Sequence, residues 1–269
     1  MKIKGIIDAL ERLAPLPLQE EYDNAGLQVG AADADGNAAT ASTDVTGVLV
    51  CLDVTEETVD EAARLGCNMI VSHHPLLFRS LKTVSGATWQ QRCVIKAIRG
   101  GITIYSAHTN LDNADGGVNH RIAELIGLGD LRWMEPGLAV DGVAGGSGLI
   151  GTLPVPEDAS CFLARIKALF GAGCVMHTDA SGPVSRVALC GGAGSFLISK
   201  AREAGADCFI TGEMSYHNFF EGGNMMLVAL GHYESERFTQ DLLKEYIENN
   251  CPGVDVKTTA SVTSPVRYL

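Results

Sequence analysis

The stretch VLVCLDVTEETVDEAARLGCNMIVSHHP (residues 48–75) runs through a strand, a helix and a second strand before two adjacent histidines. Val45 to Leu52 is apolar enough for a buried strand. Thr55 to Leu65 reads as a helix, with Thr55 as its N-cap and Thr58 in the first turn. Gly66 stops that helix, and Asn68-Met69-Ile70-Val71 leads straight into Ser72-His73-His74-Pro75. Such a unit calls for parallel strands joined by a right-handed crossover. The same order returns 139 residues later without a gap, from Val187-Ala188-Leu189-Cys190 to Thr211-Gly212-Glu213. Cys51 then matches Cys190, Ala62 matches Ala201, Gly66 matches Gly205 and Asn68 matches Asp207. Strand–helix–strand grammar limits the choices, so convergence could produce the likeness; duplication is the favoured reading.

Working outward, Ile3 to Leu13 carries apolar residues at helical spacing and stops before Pro15. Residues 31–44 are rich in Ala, Asp, Gly, Asn and Thr and read as an exposed loop. Trp89 to Arg99 is a helix closed by Gly100-Gly101, and Asn119 to Ile126 is another. The fold expected is α/β, with two similar three-layer lobes and mainly parallel or mixed sheets. The lobes would span residues 1–130 and 131–269, joined by the Gly- and Pro-rich region around 133–148. A last helix, Glu234 to Asn249, either stays on the second lobe or packs back on the first.

Hydrophobic residues make up 46% of the 269 and charged residues 19%, ordinary for a globular protein. The net charge of −12, with no basic run, argues against a broad nucleic-acid surface. It suits a small substrate held through bound cations. None of the eight cysteines forms Cys-x-x-Cys and most lie in apolar runs, so free buried thiols are expected. Asp8 and Glu11 interrupt any signal-peptide core, and the stretch Gly137 to Val155 is too glycine-rich to span a membrane. A cytoplasmic protein is expected.

Three polar clusters close apolar runs. Ser72-His73-His74 follows the strand at 68–71; His108-Thr109-Asn110-Leu111-Asp112 follows Ile102 to Tyr105; Gly231-His232-Tyr233-Glu234-Ser235-Glu236 follows Met226 to Leu230. Ligands gather at the carboxyl edge of open α/β sheets, and His with carboxylate forms a donor set for zinc, iron or manganese. Taken singly, each cluster has a plainer account. A His-His pair before Pro75 fits a surface turn, Asp112 fits a turn or cap, and Glu236 fits an exposed helix face. Three clusters at three strand ends outweigh those accounts, and a metal site between the lobes at the strand ends is expected.

His73 and His74 would project in opposite directions on an extended backbone and could serve two metals. Asp112 could bridge the pair, and His232 and Glu236 would share a helical face. Five ligands with bridging carboxylates suit two divalent ions. Glu213 and His217 hold the repeat position of the paired histidines and are candidate acid/base groups, with His108 orienting a ligand or contacting substrate. His120 reads as capping or solvent-facing, and His177 as structural. The turn Gly191-Gly192-Ala193-Gly194-Ser195 could cradle a phosphate, though tight turning is the better reading.

At these residues the chain resembles the NIF3-like dinuclear metal-centre proteins, often labelled GTP cyclohydrolase type 2-like. The likeness runs from Tyr22-Asp23-Asn24 through Leu52-Asp53-Val54-Thr55, Ser72-His73-His74-Pro75, His108 to Asp112, Cys190 to Ser195 and Thr211-Gly212-Glu213, ending at Gly231 to Glu236. It implies His73, His74, Asp112, His232 and Glu236 as ligands of two metals, and a toroidal homohexamer. The family commonly has Asp where this chain has Glu213, which moves the carboxylate by a methylene. The activity expected is dinuclear-metal-dependent hydrolysis of a nucleotide-like or phosphoester substrate, with GTP ring opening suggested by the label. The alternative is a non-catalytic metal-binding protein acting in metal handling or regulation through protein contacts.

Overall fold

The apolar runs are short strands, and the capped segments between them are helices. The computed structural model describes residues 1–33 and 35–269; Ala34, inside the loop expected over residues 31–44, lies outside the described residues. In chain order the strands are β1 (Gly26–Val29), β2 (Val48–Cys51), β3 (Met69–Ser72), β4 (Thr103–Ser106), β5 (Gly129–Pro136) and β6 (Gly146–Glu157). They continue as β7 (Met176–His177), β8 (Val184–Cys190), β9 (Cys208–Thr211), β10 (Met226–Ala229) and β11 (Val256–Thr258). The helices are α1 (Ile3–Leu13), α2 (Glu56–Arg64), α3 (Trp89–Gly100), α4 (Thr109–Asp112) and α5 (Val118–Ile126). After them come α6 (Ala159–Phe170), α7 (Ile198–Glu203), α8 (His232–Glu236) and α9 (Thr239–Asn250).

The chain divides into two compact units: Met1–Leu111 with Thr239–Pro265, and Asp112–Phe238 with Val266–Leu269. The first division thus falls at Leu111–Asp112 instead of residue 130, because α5 packs on β6 and β8 of the second sheet. The helix expected over Glu234–Asn249 is two helices, and the second division falls between them. Phe238 marks the break. Its ring packs edge-on against Phe170 at the end of α6 (5.5 Å between centroids), with the Arg237 guanidinium 4.9 Å above it. Helix α9 packs instead on α1, β2 and β11 of the first unit.

The first unit holds a mixed sheet in the order β1-β4-β3-β2-β11, parallel except for β1. Alternation sorts its residues onto two faces. Leu49, Cys51, Ile70 and Ile104 pack with Val59, Ala62, Cys93 and Ala97 of α2 and α3. Tyr105, one residue out of phase, points to the other face, where its hydroxyl reaches Glu11 of α1 (3.5 Å). Thr55 caps α2 with a reciprocal box: its hydroxyl accepts from Thr58 N, while the Thr58 hydroxyl accepts from Thr55 N.

The second unit holds six strands in the order β5-β6-β8-β9-β10-β7, with β8, β9 and β10 parallel and the others antiparallel. Ala188, Phe209 and Leu227 pack with Leu197, Ile198 and Ala201 on one face. Helix α5 covers β6 and β8 and also packs on α6.

The internal repeat extends to the hydrogen bonds. Val48 pairs with Met69 and Cys51 with Ser72; 139 residues on, Val187 pairs with Cys208 and Cys190 with Thr211. Gly66 and Gly205 share a φ of 72°. Cys67 N donates to Ala62 O (2.9 Å) as Ala206 N donates to Ala201 O (3.1 Å). Thr46 N donates to Asn68 Oδ1 (2.8 Å) as Ser185 N donates to Asp207 Oδ2 (2.9 Å). Identical register, turn and side-chain pin favour duplication over convergence.

None of the eight cysteines takes part in a disulfide. Cys51, Cys67, Cys93, Cys208 and Cys251 are buried as expected, whereas Cys161 and Cys174 are exposed. Among the described residues no helix is long and apolar enough to cross a membrane.

The repeated pin makes a test. Asn68→Ala and Asp207→Ala should each lower the unfolding free energy by about 1–2 kcal/mol, read as a lower urea midpoint. A midpoint unchanged in either variant would mean that the shared contact does not stabilise its βαβ unit.

Candidate metal centre

In the first unit, parallel pairing brings the carboxyl ends of β2, β3 and β4 side by side, and their loops carry the polar clusters. Ser72 Oγ bonds Ser106 Oγ at 2.8 Å, joining the ends of β3 and β4, and donates to His74 O at 2.9 Å. The chain then bends. His73 N donates to Cys51 O (3.2 Å) and His74 N to Leu52 O (2.9 Å), which tie the bend to the end of β2. Because the strand stops at Ser72, the alternation of an extended chain no longer applies. The rings of His73 and His74 do not project in opposite directions; their centroids lie 5.0 Å apart. His108 joins them, 5.3 Å from the His73 ring and 5.6 Å from that of His74. One ligand nitrogen from each of the three lies within 4.8 Å of the others.

Each imidazole is held through Nδ1 by an oxygen. His73, fully buried, meets Ala107 O at 2.8 Å. A carbonyl only accepts, so this Nδ1 carries a proton. His74 Nδ1 meets Asp53 Oδ1 at 2.7 Å, and His108 Nδ1 meets Asp23 Oδ1 at 2.7 Å. Burial opposes charge on Asp23, but hydrogen bonds from His108 and Thr109 outweigh it and hold its carboxyl down at about 2. Burial likewise opposes charge on Asp53, and the bonds from His74 and Thr263 hold its pKa below the usual range. Both carboxylates are therefore ionised at neutral pH and accept the Nδ1–H of their imidazoles. Three imidazoles, each held at Nδ1 and each with Nε2 as its other ring nitrogen, form a donor set suited to a divalent transition metal.

The loop that carries His108 is fixed by its own side chains. His108 N donates to Asn110 Oδ1 (2.9 Å), and Asn110 Nδ2 donates to Ala14 O (2.7 Å). That pairing turns the chain into α4, which Asp112 closes.

In the second unit, His232 opens α8 directly after β10, and Glu236 follows one turn later. The His232 Nε2 to Glu236 Oε2 distance is 3.0 Å, so the pair shares one helical face as expected. Glu236 is 3% exposed. Its carboxylate lies against the turn after β8, where a Cβ built on Gly192 would come within 2.3 Å of Glu236 Oε1. Gly192 also has a φ of 58°, so sterics and backbone both require glycine there. Glu213 Oε1 lies 3.5 Å from His232 Nδ1, with the Glu213 side chain 60% exposed.

The glycine turn does not offer a phosphate cradle. Gly191 N donates to Asn119 Oδ1 (3.0 Å), Gly192 N to Ser235 Oγ (3.1 Å) and Gly194 N to Thr211 Oγ1 (2.8 Å). With these N–H groups engaged, the turn seats the carboxylate helix instead. Asn119 Nδ2 also donates to Asp112 O (3.0 Å), and Ser235 Oγ donates to His232 O (2.8 Å), so buried side chains hold the backbone at both residues.

The remaining histidines lie elsewhere. His217 is exposed, its ring against Tyr216 (5.5 Å). His120 is half-buried instead of solvent-facing, packed edge-on to Trp133 (5.0 Å) with Nε2 3.1 Å from Asp115. His177 sits on the edge strand β7, its Nδ1 3.0 Å from Thr178 O. The supports Asp23, Asp53, Asn119 and Ser235 received no role from the sequence, although Asp23, Asp53 and Ser235 lie in the motifs that carry the resemblance.

The profile of the Duf34/NIF3 (NGG1p interacting factor 3) family matches residues 1–265. A Lactococcus lactis protein named GTP cyclohydrolase 1 type 2 homolog is 32% identical over 274 residues, spanning 98% of each chain. A Clostridium perfringens protein of the same name is 34% identical over 239 residues, covering 88% of this chain and 87% of its own. Among solved structures, a Bacillus cereus protein related to NIF3 superposes with a TM-score of 0.86 at 25% identity, over 99% of this chain and 98% of that one. The chain belongs to the Duf34/NIF3 family.

Proposed function

We propose that this protein is a dinuclear-metal-dependent hydrolase, with His73, His74, Asp112, His232 and Glu236 as its metal ligands and His108 beside the paired histidines as the group that orients a ligand or contacts substrate. The observation that carries the reading is the first unit's trio of converging imidazoles, each held at Nδ1 by an oxygen. Histidines buried for packing alone have no need of such uniform orientation. In the second unit, a carboxylate buried against a glycine turn and 3.0 Å from an imidazole supplies the harder half of the donor set.

Bound divalent ions would supply an activated water and polarise the bond under attack. The chain's own residues supply the rest. Asp23 and Asp53 orient imidazoles, Asn119 and Ser235 fix backbone beside Asp112 and His232, and Glu213 is placed to move a proton at the edge of the site. Glu213 is the better acid/base candidate than His217, since it stands 3.5 Å from His232 and remains open to solvent. With the glycine turn occupied, substrate phosphates would be held by the ions. The relatives' name makes GTP the first substrate to try, followed by phosphoesters. The homohexamer belongs to the same proposal and predicts a solution mass six times the 28.4 kDa of the chain.

Elemental analysis after reconstitution with zinc, iron or manganese should give two equivalents per chain, falling sharply in Glu236→Ala. Less than one equivalent in the wild type would contradict the ligand assignment. Asp112→Ala should abolish metal-dependent hydrolysis while leaving the circular dichroism spectrum unchanged; retained turnover would sink the mechanism. Full metal content with no turnover across nucleotides and phosphoesters would favour the non-catalytic alternative.

A further inference from the structure

The segment that follows β11 has no secondary structure, yet it is pinned to the first unit by buried charge. Glu61, on α2, is 7% exposed. Both of its carboxylate oxygens face this segment: the Thr259 hydroxyl donates to Oε2, and Ala260 N donates to Oε1 at 3.1 Å. Ser261 N then donates to Thr259 Oγ1 (3.1 Å), which turns the chain. The path brings Thr263 to the end of β2, where its Oγ1 donates to Asp53 Oδ2 at 2.6 Å. That is the oxygen His74 does not use; His74 bonds Oδ1 at 2.7 Å. Asp53 is thereby held at both oxygens, each by a different partner.

A carboxylate bonded only to His74 can rotate about its own χ2, and the imidazole rotates with it. A second bond at the other oxygen stops that rotation. We propose that Thr263 is a positioning residue for the metal centre: by locking Asp53, it fixes the His74 ring and the direction of its Nε2 lone pair. The inference rests on the metal-binding reading of His74 and adds a residue 189 positions away in sequence. Residues 259–263 act here as a strap whose anchor is Glu61 and whose working contact is Thr263.

The test is metal release into excess chelator from the full chain loaded with zinc, followed by a colorimetric chelator signal. Thr263→Val removes the hydroxyl at nearly constant volume, and Thr263→Ser keeps it. Asp53→Ala serves as the reference for losing the support altogether. Release from Thr263→Val should be roughly tenfold faster than from wild type, in the range seen for partners that orient ligands. Thr263→Ser should restore the wild-type rate, and both variants should keep the wild-type thermal midpoint without metal. Thr263→Ala repeats the measurement if valine strains the segment. Wild-type release rates in Thr263→Val and Thr263→Ala, beside fast release in Asp53→Ala, would overturn the role of Thr263 and leave the metal centre standing. A wild-type chain that retains no zinc would overturn both. A lowered midpoint with unchanged release would assign Thr263 to stability alone and contradict the proposal.

Discussion

The candidate centre depends on one kind of contact, the hydrogen bond from a histidine Nδ1–H to a fixed oxygen. An imidazole binds a metal through a lone pair, so its tautomer and its ring plane must both be right. In the first unit a backbone carbonyl settles this for His73, and two ionised carboxylates settle it for His74 and His108. Two of these oxygens are in turn placed by the sheet. Ala107 and Asp53 lie just beyond β4 and β2, which flank β3, so parallel pairing delivers the acceptors to either side of the paired histidines.

The duplicated βαβ unit puts the same backbone to different chemical use. After β3 come two histidines; after β9, at the matching positions, come Gly212 and Glu213. The glycine clears room, since a Cβ there would lie 2.5 Å from Ser235 Oγ and 2.7 Å from Gly192 O. Helix α8 can therefore approach closely and lay Glu236 against the turn after β8. One copy thus offers nitrogen at its strand edge, while the other makes space for a helix that brings nitrogen and oxygen together.

Much of this was legible in the sequence. The 139-residue repeat marked both strand–helix–strand units and their parallel pairing, Thr55 announced its helix, and the spacing of His232 and Glu236 gave their shared face. What escaped was long-range. Asp23 and His108 are 85 residues apart, and no periodicity links a loop before β1 to one after β4. The bend after Ser72 was also hidden, because an apolar run does not disclose which residue ends its ladder; the paired histidines converge for that reason. The glycine turn favoured tight turning without excluding a phosphate cradle, since glycine suits both a phosphate cradle and a close helix contact. Only the partners of its N–H groups separate the two. The break at Phe238 is set by Phe170, a contact between elements that local propensity does not register.

The most direct test of the account is the protonation of the three imidazoles in the metal-free chain, observed by long-range proton–nitrogen NMR correlation at neutral pH. The account predicts that His73, His74 and His108 each carry a proton on Nδ1, bonded to its oxygen. Imidazoles protonated on Nε2 alone, or exchanging freely between tautomers, would contradict it.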